Sequence, residues 1–173
     1  MHDDSVRAEY RVARLAATDA AIAAHVIANI KLHDEARAAE SDARRLRTWL
    51  ESPSHILLVV FDADRPVGFA LGYLLERVHG ADDMSAPSKM LFFYEIEVLP
   101  THRRRGMGTA LVERMKEIAR AERVLKMWVQ TDPENHAARG LYERTGGQAS
   151  AAVDLIYTWT ISRLQDATED ASI

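Results

Sequence analysis

The chain's 173 residues are 47% hydrophobic and 28% charged, and 22 Lys and Arg against 26 Asp and Glu give a formal net charge of −4. A chain of this length buries roughly two thirds of its unfolded surface, enough for one cooperative core, so one domain is expected over residues 1–161, followed by an acidic tail at 162–173. The absence of cysteine excludes disulfides, thiolate metal sites and a covalent intermediate on a thiol, and the acidic total argues against nucleic acid as a partner. A small cation suits the balance better. Asp3, Asp4, Arg7, Glu9, Arg11, Arg14 and Asp19 interrupt the first 30 residues, and no later stretch approaches the ~20 apolar residues of a membrane span. The expectation is therefore a cytoplasmic protein with no signal core and no membrane segment.

In chain order, residues 10–14 alternate as a half-buried strand does, and Thr18 and Asp19 are N-cap candidates for an Ala-rich helix reaching about Lys31. Residues 33–42 are charged and Ala-rich, compatible with a loop or a frayed helix. Over 44–51, Leu46, Trp49 and Leu50 share one helical face before Ser52-Pro53-Ser54 ends it. Apolar runs at 56–61 and 67–75, separated by a turn at 62–66, predict a hairpin. A surface loop is expected over 78–88, then the best strand of the chain at 90–99. Alternation on that strand places Leu91, Phe93, Glu95 and Glu97 on one face and Phe92, Tyr94, Ile96 and Val98 on the other, the second set reading as the helix-packed face. Ala110, Leu111, Met115, Ile118 and Ala119 recur at helical spacing and predict an amphipathic helix over 106–120. A strand at 125–130, a helix at about 135–145 stopped by Gly146-Gly147, and a last strand within 153–161 complete the reading. The sheet thus mixes antiparallel hairpins with crossovers.

The informative segment runs from Val98 to Leu111, where a strand ends, Pro100 and a basic turn follow, and Gly106 and Gly108 open a helix. A helix start without side chains leaves backbone N–H groups unbonded and pointing outward, which with the helix dipole makes an anion site. Arg103, Arg104 and Arg105 add long-range attraction. Leu111 stands where a dinucleotide fingerprint needs its third glycine, and no Gly-Lys-Ser/Thr follows, so neither of those phosphate turns is present. The pattern Arg103-x-x-Gly106-x-Gly108, preceded by Val98-x-Pro100, resembles the pyrophosphate turn of the GNAT superfamily of acetyl-coenzyme A dependent N-acetyltransferases. A second stretch, Asn135-x-x-Ala138-x-x-Leu141-Tyr142-x-x-x-Gly146, resembles that family's other common motif, in the right order and separated by one helix and one strand. Gly147 departs from it, standing where the family usually has Phe.

The resemblance implies an α/β GNAT fold, with a mixed, mostly antiparallel sheet of six to seven strands, flanked by about four helices and splayed at its central strands. It implies that the backbone of Arg104, Arg105, Gly106, Met107, Gly108 and Thr109 holds the coenzyme pyrophosphate. Ile96, Glu97 and Val98 would run beside the pantetheine arm, Asn135 and Ala138 would lie near the coenzyme, and the Tyr142 hydroxyl would sit by its sulfur as general acid. Acetyl transfer also needs a neutral amine, so a carboxylate or ordered water must take a proton; Glu95 is the candidate base and Glu97 a candidate cation anchor.

Within the superfamily the chain resembles the class I aminoglycoside 3-N-acetyltransferases from about Ala43 to Tyr142, through Trp49-Leu50, Phe61-Asp-x-x-x-Pro-Val-Gly68, Phe93-Tyr-Glu-Ile-Glu-Val, His102-Arg-Arg-Arg-Gly and Val129-Gln-Thr-Asp132. Gly108 stands where that group is expected to have Ala, and Glu97 replaces a small residue. An acceptor carrying several ammonium groups would be held by carboxylates and hydrogen-bonding side chains, for which Asp34, Glu35, Asp82, Asp83, Glu97, Gln130, Asp132 and Asp154 are candidates. A polyamine, an amino-sugar metabolite or a peptide amine are alternative acceptors. A coenzyme A binding module without turnover and a nucleic-acid binder using the His-Arg-Arg-Arg turn are the readings from other classes. Of the seven histidines, His25, His33, His55, His79, His102 and His136 show no metal spacing, so no metal is expected. A homodimer is compatible with the family resemblance.

Overall fold

The computed structural model describes residues 10–31, 40–76 and 89–149. Asp34, Glu35, Asp82, Asp83 and Asp154, the strand expected within 153–161 and the tail at 162–173 lie outside the described residues. Within them, strands β1 (Tyr10–Arg14), β2 (His55–Asp62), β3 (Arg65–Glu76), β4 (Lys89–Val98) and β5 (Val124–Trp128) form one sheet in the order of their numbering. Neighbours from β1 to β4 are antiparallel, and β4 pairs with β5 in parallel. The helices are α1 (Ala20–Val26), α2 (Glu40–Leu50), α3 (Met107–Ala121) and α4 (His136–Arg144). The fold is the expected mixed sheet with four helices, with five strands among the described residues in place of six to seven.

The unbroken apolar run of β2 follows from being covered on both faces. Ile56, Leu58 and Val60 pack with Met107, Leu111 and Met115 of α3, while Leu57, Val59 and Phe61 pack with Leu15, Ala23, Val26 and Ile30. Small residues let α1 lie close to the sheet, since Ala20, Ala23 and Ala24 are all buried. Its helical path continues through a π turn at Ile27–Lys31, so the element ends where expected. Asp19 does not cap α1 with its side chain; its carboxylate instead accepts from the Ala16 N–H at 2.9 Å. α2 begins at Glu40, four residues ahead of the start expected at 44.

Tight contacts fix the centre of the sheet. A Cβ on Gly68 would lie 2.7 Å from the Glu97 carbonyl oxygen and 3.0 Å from both Val60 and Val98. Glycine there is what allows β3 to approach β4.

β4 breaks its own alternation. Ala70 faces Ile96 and Leu71 faces Glu95, yet Gly72 faces Phe93, so Tyr94 is an extra, bulged residue. The side-chain faces invert across it. Leu91, Phe93, Ile96 and Val98 pack toward α3, whereas Phe92, Tyr94, Glu95 and Glu97 belong to the other face. The expected grouping of Glu95 and Glu97 with Leu91 and Phe93 is thereby corrected, as is the placement of Phe92 and Tyr94 on the helix-packed face. A strict period of two has no place for the inserted residue.

β5 is shorter than the strand expected at 125–130. Its ladder with β4 ends at Phe92 opposite Trp128, while β4 runs on to Val98. Beyond that rung the two strands part, leaving Val129 and Gln130 outside the sheet.

Candidate active site

Three elements converge where β4 and β5 separate. The first is the turn that leads from β4 into α3. Arg103 Nε donates to the Val98 carbonyl at 2.8 Å, folding the turn back on the strand it leaves. Arg104 and Gly106 adopt left-handed backbone, φ 63° and 85°. Glycine suits the second position twice over, because a Cβ on Gly106 would lie 3.1 Å from the Tyr10 hydroxyl. Gly106 caps α3 without a side-chain hydrogen bond, and the first helical bond runs from the Ala110 N–H to the Gly106 carbonyl at 3.0 Å. The N–H groups of Met107, Gly108 and Thr109 therefore precede the first turn's bonding. The Met107 side chain is buried in the core, so α3 starts at a fixed height above the sheet. Asp62, at the end of β2, braces the turn from the side: its Oδ2 lies 3.3 Å from Arg105 Nη1 and 3.4 Å from His102 Nε2. Sequence reading missed Asp62, since nothing local links a hairpin residue to a turn 40 positions away.

The second element is α4. Asn135 is its N-cap, and its side-chain oxygen accepts from the Ala138 N–H at 3.1 Å. Both residues were expected near a coenzyme; their observed contact is the cap that starts the helix. The helix ends in a Schellman motif, with Gly147 N–H donating to the Tyr142 carbonyl at 2.8 Å, Gly146 N–H to the Glu143 carbonyl at 3.1 Å, and Gly146 at φ 86°. A Cβ on Gly147 would lie 3.0 Å from that same Tyr142 oxygen, a tight contact at the helix stop. Lys116 Nζ clips α3 to this end of α4 through the Thr145 carbonyl at 2.8 Å, and Gly108 sits against Leu141. Tyr142 is thus held firmly. Its ring meets Phe93 edge to face at 6.2 Å, and burial pushes its phenol above the ordinary tyrosine value. A phenol so placed stays protonated at neutral pH and can donate a proton.

The third element is the opposite face of β4. An open hollow of about 370 Å³ is lined by Phe92, Tyr94, Glu95 and Gln130. Phe92 belongs to the last β4–β5 rung, Gln130 follows the end of β5, and Tyr94 and Glu95 are the bulge and its successor. The hollow lies where the strands part, and the one charge in its lining is the Glu95 carboxylate. Glu97 is half-buried one pleat further along, opposite Phe69. Asp132 makes the turn into α4: its side chain accepts from the Glu134 N–H at 2.8 Å and its carbonyl from the Asn135 N–H at 2.9 Å. Of the candidates within the described residues, Glu95 and Gln130 meet in the hollow. Ile96 and Val98 face α3, Arg104, Arg105 and Thr109 are exposed around its start, and Tyr142 stands beside Phe93. Among the described residues no group of three or more His, Asp or Glu could hold a metal.

A family model described as the acetyltransferase (GNAT) family matches residues 19–147. The chain belongs to the GNAT acetyltransferase family. Its acetyl donor is accordingly acetyl-coenzyme A, and the uncapped, glycine-bearing start of α3 beside three arginines fits the anionic part of that molecule. No curated protein matches the sequence. Among solved structures, an aminoglycoside acetyltransferase from an uncultured soil metagenomic sample superposes with a TM-score of 0.74 at 24% identity, covering 89% of this chain and 99% of that one. A second aminoglycoside acetyltransferase from such a sample, in complex with sisomicin, gives 0.69 at 18% identity over 87% and 97% of the two chains. Aminoglycoside N-acetyltransferase AAC(6')-Iy in complex with CoA gives 0.66 at 16% identity over 87% and 95%. At these identities the likeness is one of fold. Among the described residues no helix of this GNAT chain is long and apolar enough to cross a membrane.

Proposed function

We propose that this acetyltransferase moves the acetyl group of acetyl-coenzyme A to a primary amine of a small cationic acceptor, with the 3-amino group of an aminoglycoside as the first candidate. One observation carries the reading: the bulge at Tyr94 turns Glu95 into a hollow whose other walls are uncharged, at the point where β4 and β5 separate. The aminoglycoside acetyltransferases among the structural neighbours, one holding sisomicin and the same protein elsewhere holding trehalose, support an acceptor of this kind.

Acetyl-coenzyme A supplies a thioester whose carbonyl carbon the amine attacks. Glu95, directly or through a water, takes one proton from the ammonium and leaves a nitrogen lone pair free for attack. As the C–N bond forms and the C–S bond breaks, Tyr142 donates its phenolic proton to the departing sulfur. The second proton lost by the nitrogen passes to solvent, and the phenol is restored from water. With no cysteine in the chain, acetyl passes from thioester to amine without a thiol of the protein. Backbone N–H groups of Met107, Gly108 and Thr109 would hold the pyrophosphate, and Ile96 to Val98 would border the pantetheine arm. The protein is proposed to work in the cytoplasm, as one domain over residues 1–161, without nucleic acid, with a homodimer as its candidate assembly.

Release of free coenzyme thiol from acetyl-coenzyme A in the presence of aminoglycosides, polyamines and amino-terminal peptides tests this directly. Aminoglycoside-dependent release is expected. Release with polyamines or peptides alone would replace the acceptor class, and no release with any amine would leave a coenzyme-binding module.

A further inference from the structure

Six rings from five elements form one connected aromatic ribbon. Trp49 of α2 stacks on His55 of β2 at 4.4 Å and 18°, and both meet Tyr73 of β3 edge to face at 6.0 and 5.4 Å. Tyr73 meets Tyr94 at 5.8 Å, Tyr94 meets Phe92 at 5.6 Å, and Phe92 stacks on Trp128 of β5 at 5.3 Å and 16°. Its far end is anchored, since His55 Nδ1 lies 2.7 Å from the Trp49 carbonyl. Edge-to-face contacts fix ring orientations that simple burial would leave free. Tyr94 breaks the surface most, at 50% exposed.

Two rings of the ribbon reach the hollow. Phe92 and Tyr94 supply two of its walls, and Glu95 sits beside them. A ring face is negative and its body apolar. Next to a carboxylate, such faces favour a ligand that is both cationic and flat-sided, whereas a linear polycation gains chiefly from the carboxylate.

We infer that the rings at the hollow, Tyr94 with Phe92 backed by its stack on Trp128, are the platform on which the acceptor lies, and that they select an amine carried on a saturated ring, as in an amino sugar, over an amine on a flexible chain. This rests on the acetyl-transfer reading for its context. It assigns the choice of acceptor to the bulge residue that also directs Glu95: the ring holds the acceptor's carbon skeleton by its C–H face, and the carboxylate meets the ammonium.

Calorimetric binding of sisomicin and of spermidine needs no turnover and tests the platform separately from the chemistry. Wild-type protein should prefer sisomicin. Tyr94→Leu should weaken sisomicin binding about tenfold, the size of one lost ring-face contact, while spermidine binding changes less than threefold. Tyr94→Phe, which keeps the ring, should stay within threefold of wild type for both. The acetyl-coenzyme A KM should be unchanged in either variant. Absence of sisomicin binding to wild type, equal loss for both amines in Tyr94→Leu, or a Tyr94→Phe defect as large as that of Tyr94→Leu would overturn the platform. Sisomicin binding of the expected pattern with no thiol release for any amine would sustain the platform and refute the acetyl-transfer reading.

Discussion

The two sides of the β4–β5 opening are built by different means. Toward α3 and α4 the working groups are mostly backbone: the N–H groups at the start of α3, a left-handed turn at Arg104 and Gly106, and a Schellman stop behind Tyr142. Toward α1 and α2 they are side chains from five elements, assembled only by the sheet and its bulge. Backbone sites demand glycines and prolines at fixed spacing, so the first side reads as a motif. The second is free to vary residue by residue, which suits a surface that must match one acceptor.

The largest expected effect falls on the acceptor side. Glu95→Gln should lower turnover at neutral pH by about 10²–10⁴-fold, the usual range for a lost general base, with thermal stability little changed. On the coenzyme side, Tyr142→Phe should slow turnover by about 10²-fold, the low end of the same range, with little change in coenzyme affinity, and an unchanged rate would remove the phenol from the mechanism. Because burial disfavours the phenolate, the Tyr142 phenol remains protonated through neutral pH, and ionises only above the ordinary tyrosine value. The alkaline fall in kcat should therefore lie above that value in wild type and vanish in Tyr142→Phe. By the same sign, the folded state loses stability at Tyr142 as pH rises through the alkaline range, where the unfolded tyrosine ionises first.

Sheet geometry shared by both sides responds to bulk. Gly68→Ala should cost about 1–3 kcal/mol in urea unfolding, since its methyl group meets the Glu97 carbonyl at 2.7 Å and strains the overpacked centre of the sheet. Gly108→Ala is the mild counterpart. Its methyl group would meet only a flexible end of Leu141 at 3.3 Å, so stability should change by less than about 1 kcal/mol and coenzyme KM by less than threefold. A large KM effect there would show that α4 is less able to yield than its side-chain contact suggests.

What the sequence made legible divides along the same line. The paired glycines at 106 and 108, the Pro100 turn and the Asn135-to-Gly146 stretch each reflect a local backbone requirement, and the structure has a turn, a cap and a stop at those places. The apolar run of β2 was equally readable, because burial on two faces leaves a mark in composition. Faces on β4 were not. A bulge adds one residue without changing the local pattern of Phe92, Phe93 and Tyr94, and only the register against Leu71 and Gly72 exposes it. The turn that Asp132 makes into α4 was not read from the sequence, where its neighbours point only to the acceptor. His55, of which the sequence says only that it has no metal spacing, belongs to the aromatic ribbon because Trp49 and Tyr73 reach it from other elements.

The central claim, a cationic amine deprotonated at Glu95 and acetylated directly, is tested most directly by the pH profile of coenzyme thiol release with sisomicin, for wild type and Glu95→Gln side by side. The account predicts a deep deficit of the variant at neutral pH that narrows as pH rises and the amine loses its proton unaided. A deficit that is the same at every pH would contradict it, reducing Glu95 to an anchor for the acceptor's charge.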